Sequence, residues 1–248
     1  MSEKNHKILE KSLKILDYVS RNNGVSLTEI CNYVDIPKSS AHILLNTFVN
    51  MYYMKKDKNG LYTIDVGLFE LGTRYVDNND FFTTAREVLE GIVNTIDETA
   101  HLAVLDGTDA VYVCKYECSH TVRMVSFVGK RLPAHGAAIG KALLSGCSDD
   151  EIRALYQGKT LEKFTANTID SLDVLMEQLH EIRLSGFAVE HEESTPGVEC
   201  IAVPIVNRHT GQVEAAISIS VPVSRSKGNM EKFKAPLLGA KRSLEILL

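Results

Sequence analysis

The chain has 248 residues, 44% hydrophobic and 24% charged, with five cysteines and a formal net charge of −5. That is the composition of a globular protein with room for one large domain or two ordinary ones. No apolar run approaches the roughly 18 residues of a membrane span, and the start at Ser2-Glu3-Lys4-Asn5 has no apolar signal core, so a cytoplasmic location is expected.

The charge is unevenly spread: residues 1–75 carry a net +2 and residues 76–248 a net −7. Contacts to phosphate are therefore expected in the front third. The irregularly spaced cysteines read as thiols of a reducing compartment.

In chain order, Ile8, Leu9, Leu13, Leu16 and Val19 recur at helical spacing, and Asn22-Asn23-Gly24 supplies a stop. Ser26-Leu-Thr-Glu29 fits a capping box opening a short helix with Leu27, Ile30 and Val34 inward. A third helix, residues 37–50, starts near Pro37 and turns Ala41, Leu44, Leu45 and Phe48 to the core. The strand-like stretches Tyr52–Lys56 and Leu61–Ile64 flank Asp57-Lys-Asn59-Gly60, a strong hairpin signal. Three helices and a hairpin make a winged helix-turn-helix, expected over residues 1–65.

Residues 66–80 read as a linker helix through Val66, Phe69 and Tyr75, and Thr84–Ile96 as a further amphipathic helix. Over residues 81–248 the pattern becomes α/β. Strands are expected at His101–Leu105, Ala110–Tyr116, Val122–Phe127, Phe187–Glu190, Glu199–Val206 and Val213–Val221. Helices are expected at Gly140–Ser145, Asp150–Tyr156, Asp170–Ser185 and Met230–Leu247. The turn at Asn207–Gly211 makes the last two strands antiparallel neighbours in a mixed or antiparallel sheet.

A helix of the third one's length fits the major groove of B-DNA, where base edges carry a readable donor and acceptor pattern. Its outer face offers Lys38, Ser39, His42, Ile43, Asn46 and Thr47, and Ser40 is compatible with either face. Lys38 and Ser39 suit phosphates, while His42 and Asn46, one turn apart, suit base edges. Lys55, Lys56 and Lys58 lie on the wing, placed for the backbone or an adjacent minor groove. A winged helix can also serve as a protein-interaction module.

In the second part, Gly136, Ala137 and Ala138 precede a helix, with Lys130, Arg131 and His135 nearby. Free amides there would favour a small carboxylate; a tight helix–sheet contact needs the same small residues. Alternation puts Ser218 and Ser220 on one sheet face, able to bind a ligand or to satisfy each other.

Three rival readings remain. Cys114, Cys118 and His120 resemble metal ligands, but on one strand the two thiols would sit ~13 Å apart, against Zn–S bonds of ~2.3 Å. No metal and no cofactor is expected. Cys200, His135 and Glu190 could be imagined as a thiol triad, but nothing in the sequence unites them and no catalytic motif is present, so no enzyme is expected. A second domain that only oligomerises is the third reading.

Together with Lys11-Ser-Leu-Lys-Ile-Leu16 and Ile36-Pro-Lys-Ser-Ser-Ala-His42, the segments Val128–Leu144, Ser185–Pro204 and Ala215–Val221 resemble the IclR family of bacterial transcription regulators over roughly residues 8–247. The resemblance implies an α+β chain: a winged helix-turn-helix, a linker helix and an effector domain with a curved antiparallel sheet flanked by helices. It implies homodimers, or tetramers as dimers of dimers, on palindromic operator DNA, with a small-molecule effector and no membrane partner. The effector site it implies comprises Met124, Leu132, Ala138, Ile139, Glu190, Cys200, Ser218 and Ser220. Met124, Leu132 and Ile139 would form apolar walls, and Cys200 a neighbouring wall atom. The amides near Ala138 and Ile139 and the two hydroxyls would hold ligand oxygens. The chain departs from the family at Ile43, where Arg is frequent, which removes a DNA contact or replaces it with one to a thymine methyl. Glu190 stands where some members carry Asp, and its longer side chain changes the pocket's depth.

Overall fold

The computed structural model describes residues 6–122, 124–227 and 229–248. The chain divides into two compact units, Met1–Asn78 and Asn79–Leu248.

The first unit holds α1 (Lys7–Arg21), α2 (Leu27–Val34), α3 (Lys38–Asn50), β1 (Met54–Lys56), β2 (Tyr62–Ile64) and α4 (Val66–Asp77). The capping box forms: the Ser26 hydroxyl accepts from the Glu29 amide, and the Glu29 carboxylate accepts from the Ser26 amide at 2.8 Å. A cap of this kind contributes ~1 kcal/mol. The wing pairs β1 with β2 in antiparallel register, Met54 opposite Ile64. Its turn is longer than a two-residue loop: the Asp57 carboxylate accepts from the Asn59 and Leu61 amides, and Gly60 takes φ +83°. Val25 bonds both ways with Tyr62, tying the α1–α2 turn to the wing. The core is Ile15, Val19, Val25, Ile30, Val34, Leu45, Met54 and Tyr62. On α1 the inward face centres on Ile15 and Val19, while Ile8, Leu9 and Leu13 stay exposed despite their helical spacing.

The base of α4 is fixed to this unit. Gly67 donates to the Tyr52 carbonyl at 2.9 Å, and a Cβ there would lie 2.6 Å from that oxygen, so no larger residue fits.

The second unit begins with α5 (Asp80–Ile96), four residues earlier than its apolar pattern suggests because Asn79 caps it. A six-stranded antiparallel sheet follows: β3 (Thr99–Asp106), β4 (Asp109–Tyr116), β5 (Arg131–Pro133), β6 (Ala188–His191), β7 (Val198–Val206) and β8 (Val213–Pro222), in the order β5-β4-β3-β8-β7-β6. Register breaks at Leu102/Ala103 and Ile205/Val206 mark bulges, which increase twist and bend the sheet. The helices are α6 (Ala138–Leu144), α7 (Asp149–Leu155), α8 (Leu172–Ser185), the short α9 (Val223–Ser226) and α10 (Lys234–Glu245), with α5 and α10 packed together.

The two sheet faces differ. Strand alternation sends Ile201, Val203, Ile205, Ile217, Ile219 and Val221, all buried, to one side. The other side, packed with α6 and α8, carries Ala103, Ala188, Cys200, Ala202 and Ala216. Such small residues let α6 approach until all seven of its residues are buried. Gly140 lets α6 lie against the turn that follows β5, where a Cβ would meet the Ala134 Cα at 2.3 Å.

One expected strand is absent. Val122 and Met124–Phe127 adopt no strand, and β5 takes the place beside β4. The carbonyls of Val122 and Ser126 instead accept from Arg225 and Lys115 at 2.7 and 2.6 Å, so side chains do what a neighbouring strand would have done.

Candidate functional site

The first candidate surface is the outer face of α3. Lys38, Ser39, Ser40, His42, Ile43, Asn46 and Thr47 are all exposed, while Ala41 and Leu45 are fully buried. Ser40 thus turns outward with the rest. Pro37 stands at the N-cap and no side chain caps the helix. The first amides of α3 are therefore free to meet an anion, beside Lys38. Asn46 Nδ2 donates to His42 Nδ1 at 3.1 Å. That leaves a proton on His42 Nε2 and the Asn46 carbonyl oxygen as acceptor, a donor–acceptor pair one helical turn long. Thr47 Oγ1 donates back to the Ile43 carbonyl and presents only its lone pairs outward. On the wing Lys55, Lys56 and Lys58 are exposed, with Lys56 Nζ 5.3 Å from the Tyr62 ring centre.

The second candidate site lies on the α6 side of the sheet. Cross-strand pairs share a face, and two rows of them run across β6, β7, β8 and β3. One is Glu190–Cys200–Ser220–Thr99, the other Ala188–Ala202–Ser218–His101. Glu190, Cys200, Ser218 and Ser220 are thus brought together on one buried face. Cys200 donates to the Ser220 hydroxyl at 3.3 Å, and Glu190 accepts from the Ser194 amide and hydroxyl at 2.9 and 2.8 Å. Ala138 and Ile139 open α6 above this floor, with no side chain capping the helix. Met124 and Leu132 are half-buried against the same apolar cluster.

Burial raises the Glu190 carboxyl above its usual range, against the pull of its Ser194 donors. Burial also pushes the Cys200 thiol well up, with the Glu190 charge adding to it, the reverse of what a nucleophile requires.

The basic residues are placed elsewhere than expected. Arg131 is exposed and paired with Asp106 and Asp109. His135 gives its ring nitrogen to the Glu162 carbonyl at 2.9 Å and packs between Tyr156 and Phe164. Its bonds are not to Cys200 or Glu190, so the imagined triad does not assemble. Cys114, Cys118 and His120 also separate: β4 ends at Tyr116, Cys114 points to the Phe82 carbonyl, Cys118 pairs with Thr99, and His120 with Asp97. Among the described residues no group of three His, Cys, Asp or Glu is disposed to hold a metal ion, and no helix is long and apolar enough to cross a membrane.

Two polar features stand beside this face; sequence reasoning missed the first, while the second is a histidine that it reads as a pocket or core residue. Lys141, wholly buried in α6, bonds both oxygens of Glu193 at 2.7 and 2.8 Å and Gln178 at 2.9 Å. It holds the β6–β7 loop that carries Ser194. His101, also wholly buried, stacks on Tyr112 with ring centres 4.3 Å apart and shares a 2.8 Å hydrogen bond with Ser126. An apolar-flanked Lys on a short helix and a polar residue at an inward strand position were the available signals.

Residues 8–58 match the IclR helix-turn-helix domain, and residues 73–245 match the bacterial transcriptional regulator IclR C-terminal domain. The chain is 33% identical over 226 residues to the HTH-type transcriptional repressor AllR of Salmonella paratyphi A, covering 90% of this chain and 83% of that one. The Thermotoga maritima IclR crystal structure superposes with a TM-score of 0.78 at 28% identity, over 97% of this chain and 98% of that one. An IclR homolog from Microbacterium hydrocarbonoxydans, solved in complex with 4-hydroxybenzoate, shares the fold with a TM-score of 0.84 at 21% identity, over 96% and 98%. With a matched helix-turn-helix before a matched effector domain, the chain belongs to the IclR family of bacterial transcriptional regulators.

Proposed function

We propose that this regulator reads a palindromic operator through α3 and the wing, as a homodimer or a dimer of dimers in the bacterial cytoplasm. A small organic or aromatic carboxylate, held on the α6 side of the sheet, would set its operator affinity. The observation that carries the DNA reading is the outer face of α3: an uncapped N-terminus beside Lys38, then the His42–Asn46 pair, all exposed on a helix whose other face is sealed. Residues Lys38, Ser39 and Ser40 would meet phosphates, His42, Ile43, Asn46 and Thr47 base edges, and Lys55, Lys56 and Lys58 the backbone beyond.

Support for a dimer comes from α4, which leaves Val66, Phe69 and Leu71 exposed although its base is locked to the winged unit. A linker helix of this kind would set the spacing of two recognition helices. For the effector to act, it must bind one spacing more tightly than the other. The named repressor among the relatives favours repression. The 4-hydroxybenzoate complex of the Microbacterium protein favours a carboxylate. Members of this family regulate transcription, and no catalytic role is assigned to any residue here.

The test is fluorescence anisotropy on the DNA upstream of the chain's own gene, with excess nonspecific competitor, beside a His42→Ala/Asn46→Ala variant. Two base contacts at ~1–3 kcal/mol each predict a loss of at least tenfold in specific affinity. Equal affinity of both proteins for that DNA and for a scrambled duplex would refute the assignment of α3.

A further inference from the structure

His101, on one of the two polar rows, has an unmet hydrogen-bonding demand among the described residues. Its ring is wholly buried on β3, and Nδ1 has no hydrogen-bond partner among the described residues. Buried polar atoms are nearly always paired, so an orphan calls for an explanation. The other nitrogen, Nε2, is taken by Ser126. The cross-strand partner of His101 is Ser218, which puts the imidazole on the face that carries Ser218, Ser220, Cys200 and Glu190. Tyr112 stacks against the ring and holds its plane.

The two ends of this face differ. Lys115, the cross-strand partner of His101, is anchored on the Ser126 carbonyl at 2.6 Å and paired with Glu117 at 2.5 Å. At the other end stand Glu190 and Glu193, and the cation there, Lys141, is committed to Glu193 and Gln178. Glu190 accepts from the Ser194 amide and the Ser194 hydroxyl. A ligand carboxylate is disfavoured at the Glu190 end, and at the His101 end it meets a neutral imidazole with a nitrogen to spare.

We propose that His101 is a further ligand-binding residue of the effector site, its Nδ1–H taking the effector's carboxylate beside Ser218 and turning an uncharged hydrogen-bond donor of the ligand toward Glu190. The ligand class is a small hydroxy acid. Ser126 makes the proton placement possible: its hydroxyl can rotate to donate into Nε2, which leaves the hydrogen of the neutral ring on Nδ1. Burial, with the charges of Lys115 and Lys130, holds the ring neutral, down to about pH 3, so His101 acts by a directed hydrogen bond. This inference rests on the effector reading above and adds to it a contact and an orientation.

The test uses full-length protein labelled with 15N-histidine and two probe pairs, lactate with lactamide and 4-hydroxybenzoate with 4-hydroxybenzamide. Each pair keeps the hydroxyl and removes the carboxylate. Calorimetry is expected to show at least tenfold tighter binding of the acid in a pair that binds, with the His101 resonances moving to the Nδ1–H tautomer on saturation. His101→Phe should lose that preference, and His101→Asn, whose amide sits near the Nδ1 position, should restore part of it. Acid binding abolished by Ser218→Ala/Ser220→Ala but unchanged in His101→Phe, with an unmoved tautomer, overturns the role of His101 alone. No binding of any probe to the wild-type chain, and DNA affinity indifferent to all four, overturns the hydroxy-acid assignment together with the carboxylate reading beneath it.

Discussion

Replacing Lys141 with Met should destabilise the second unit by about 3–5 kcal/mol, the usual cost of stranding one member of a buried ion pair. All three ammonium protons have acceptors, two on Glu193 and one on Gln178, and the Lys141 side chain is 0% exposed. Met fills nearly the same volume without a charge, so the loss isolates the uncompensated Glu193 carboxylate. For a unit of this size ~2–4 °C accompanies each kcal/mol, which predicts a fall near 10 °C in its melting transition. Calorimetry on the full chain resolves that transition, and urea unfolding checks the magnitude. Lys141→Met/Glu193→Gln should recover most of the loss, because no buried charge is left behind. A single variant within ~1 kcal/mol of wild type, or a double variant no better than the single, would refute the claim that the pair locks the β6–β7 loop.

Three further variants test single positions. Gly140→Ala should prevent the second unit from folding cooperatively, because its Cβ would lie 2.3 and 2.4 Å from the Ala134 Cα and carbonyl oxygen, backbone atoms that cannot step aside. Gly91→Ala, whose Cβ meets nothing on α5, should be neutral or gain up to ~1 kcal/mol, and circular dichroism melts distinguish the two. His101 gives an acid limit: its folded-state value is lowered by burial from 6.5 to about 3, so the unfolded chain takes up a proton that the native state refuses. Its contribution is therefore present above pH 6.5 and lost as the pH falls toward 3, at up to ~1.4 kcal/mol per pH unit. His101→Asn should flatten that part of the stability–pH curve; an unchanged slope would show that the imidazole is already charged in the fold.

What the sequence made legible is what local chemistry decides. Ser26-Leu-Thr-Glu29 could be read as a cap because both partners lie within one turn, and Asn207–Gly211 as a turn because the Asn207 carboxamide caps the His209 and Thr210 amides itself. Strand alternation alone sufficed to put Ser218 and Ser220 on one face. Ser148-Asp-Asp-Glu151 forms a second capping box that the same pattern would have found. The failures are non-local. Residues 122–127 have the apolar character of a strand, but a strand also needs an unoccupied edge. Which edge β4 offers is decided by Arg131–Pro133 pairing with Val111–Asp109. Likewise Lys141 and Glu193 are 52 positions apart, and nothing near either one announces the other. The polar end of the candidate site depends on the same kind of information. That His101 faces inward follows from β3; that it faces Ser218 follows only from β3 lying beside β8. A polar face assembled across four strands is specified by sheet order, and sheet order is set by the packing of the whole unit.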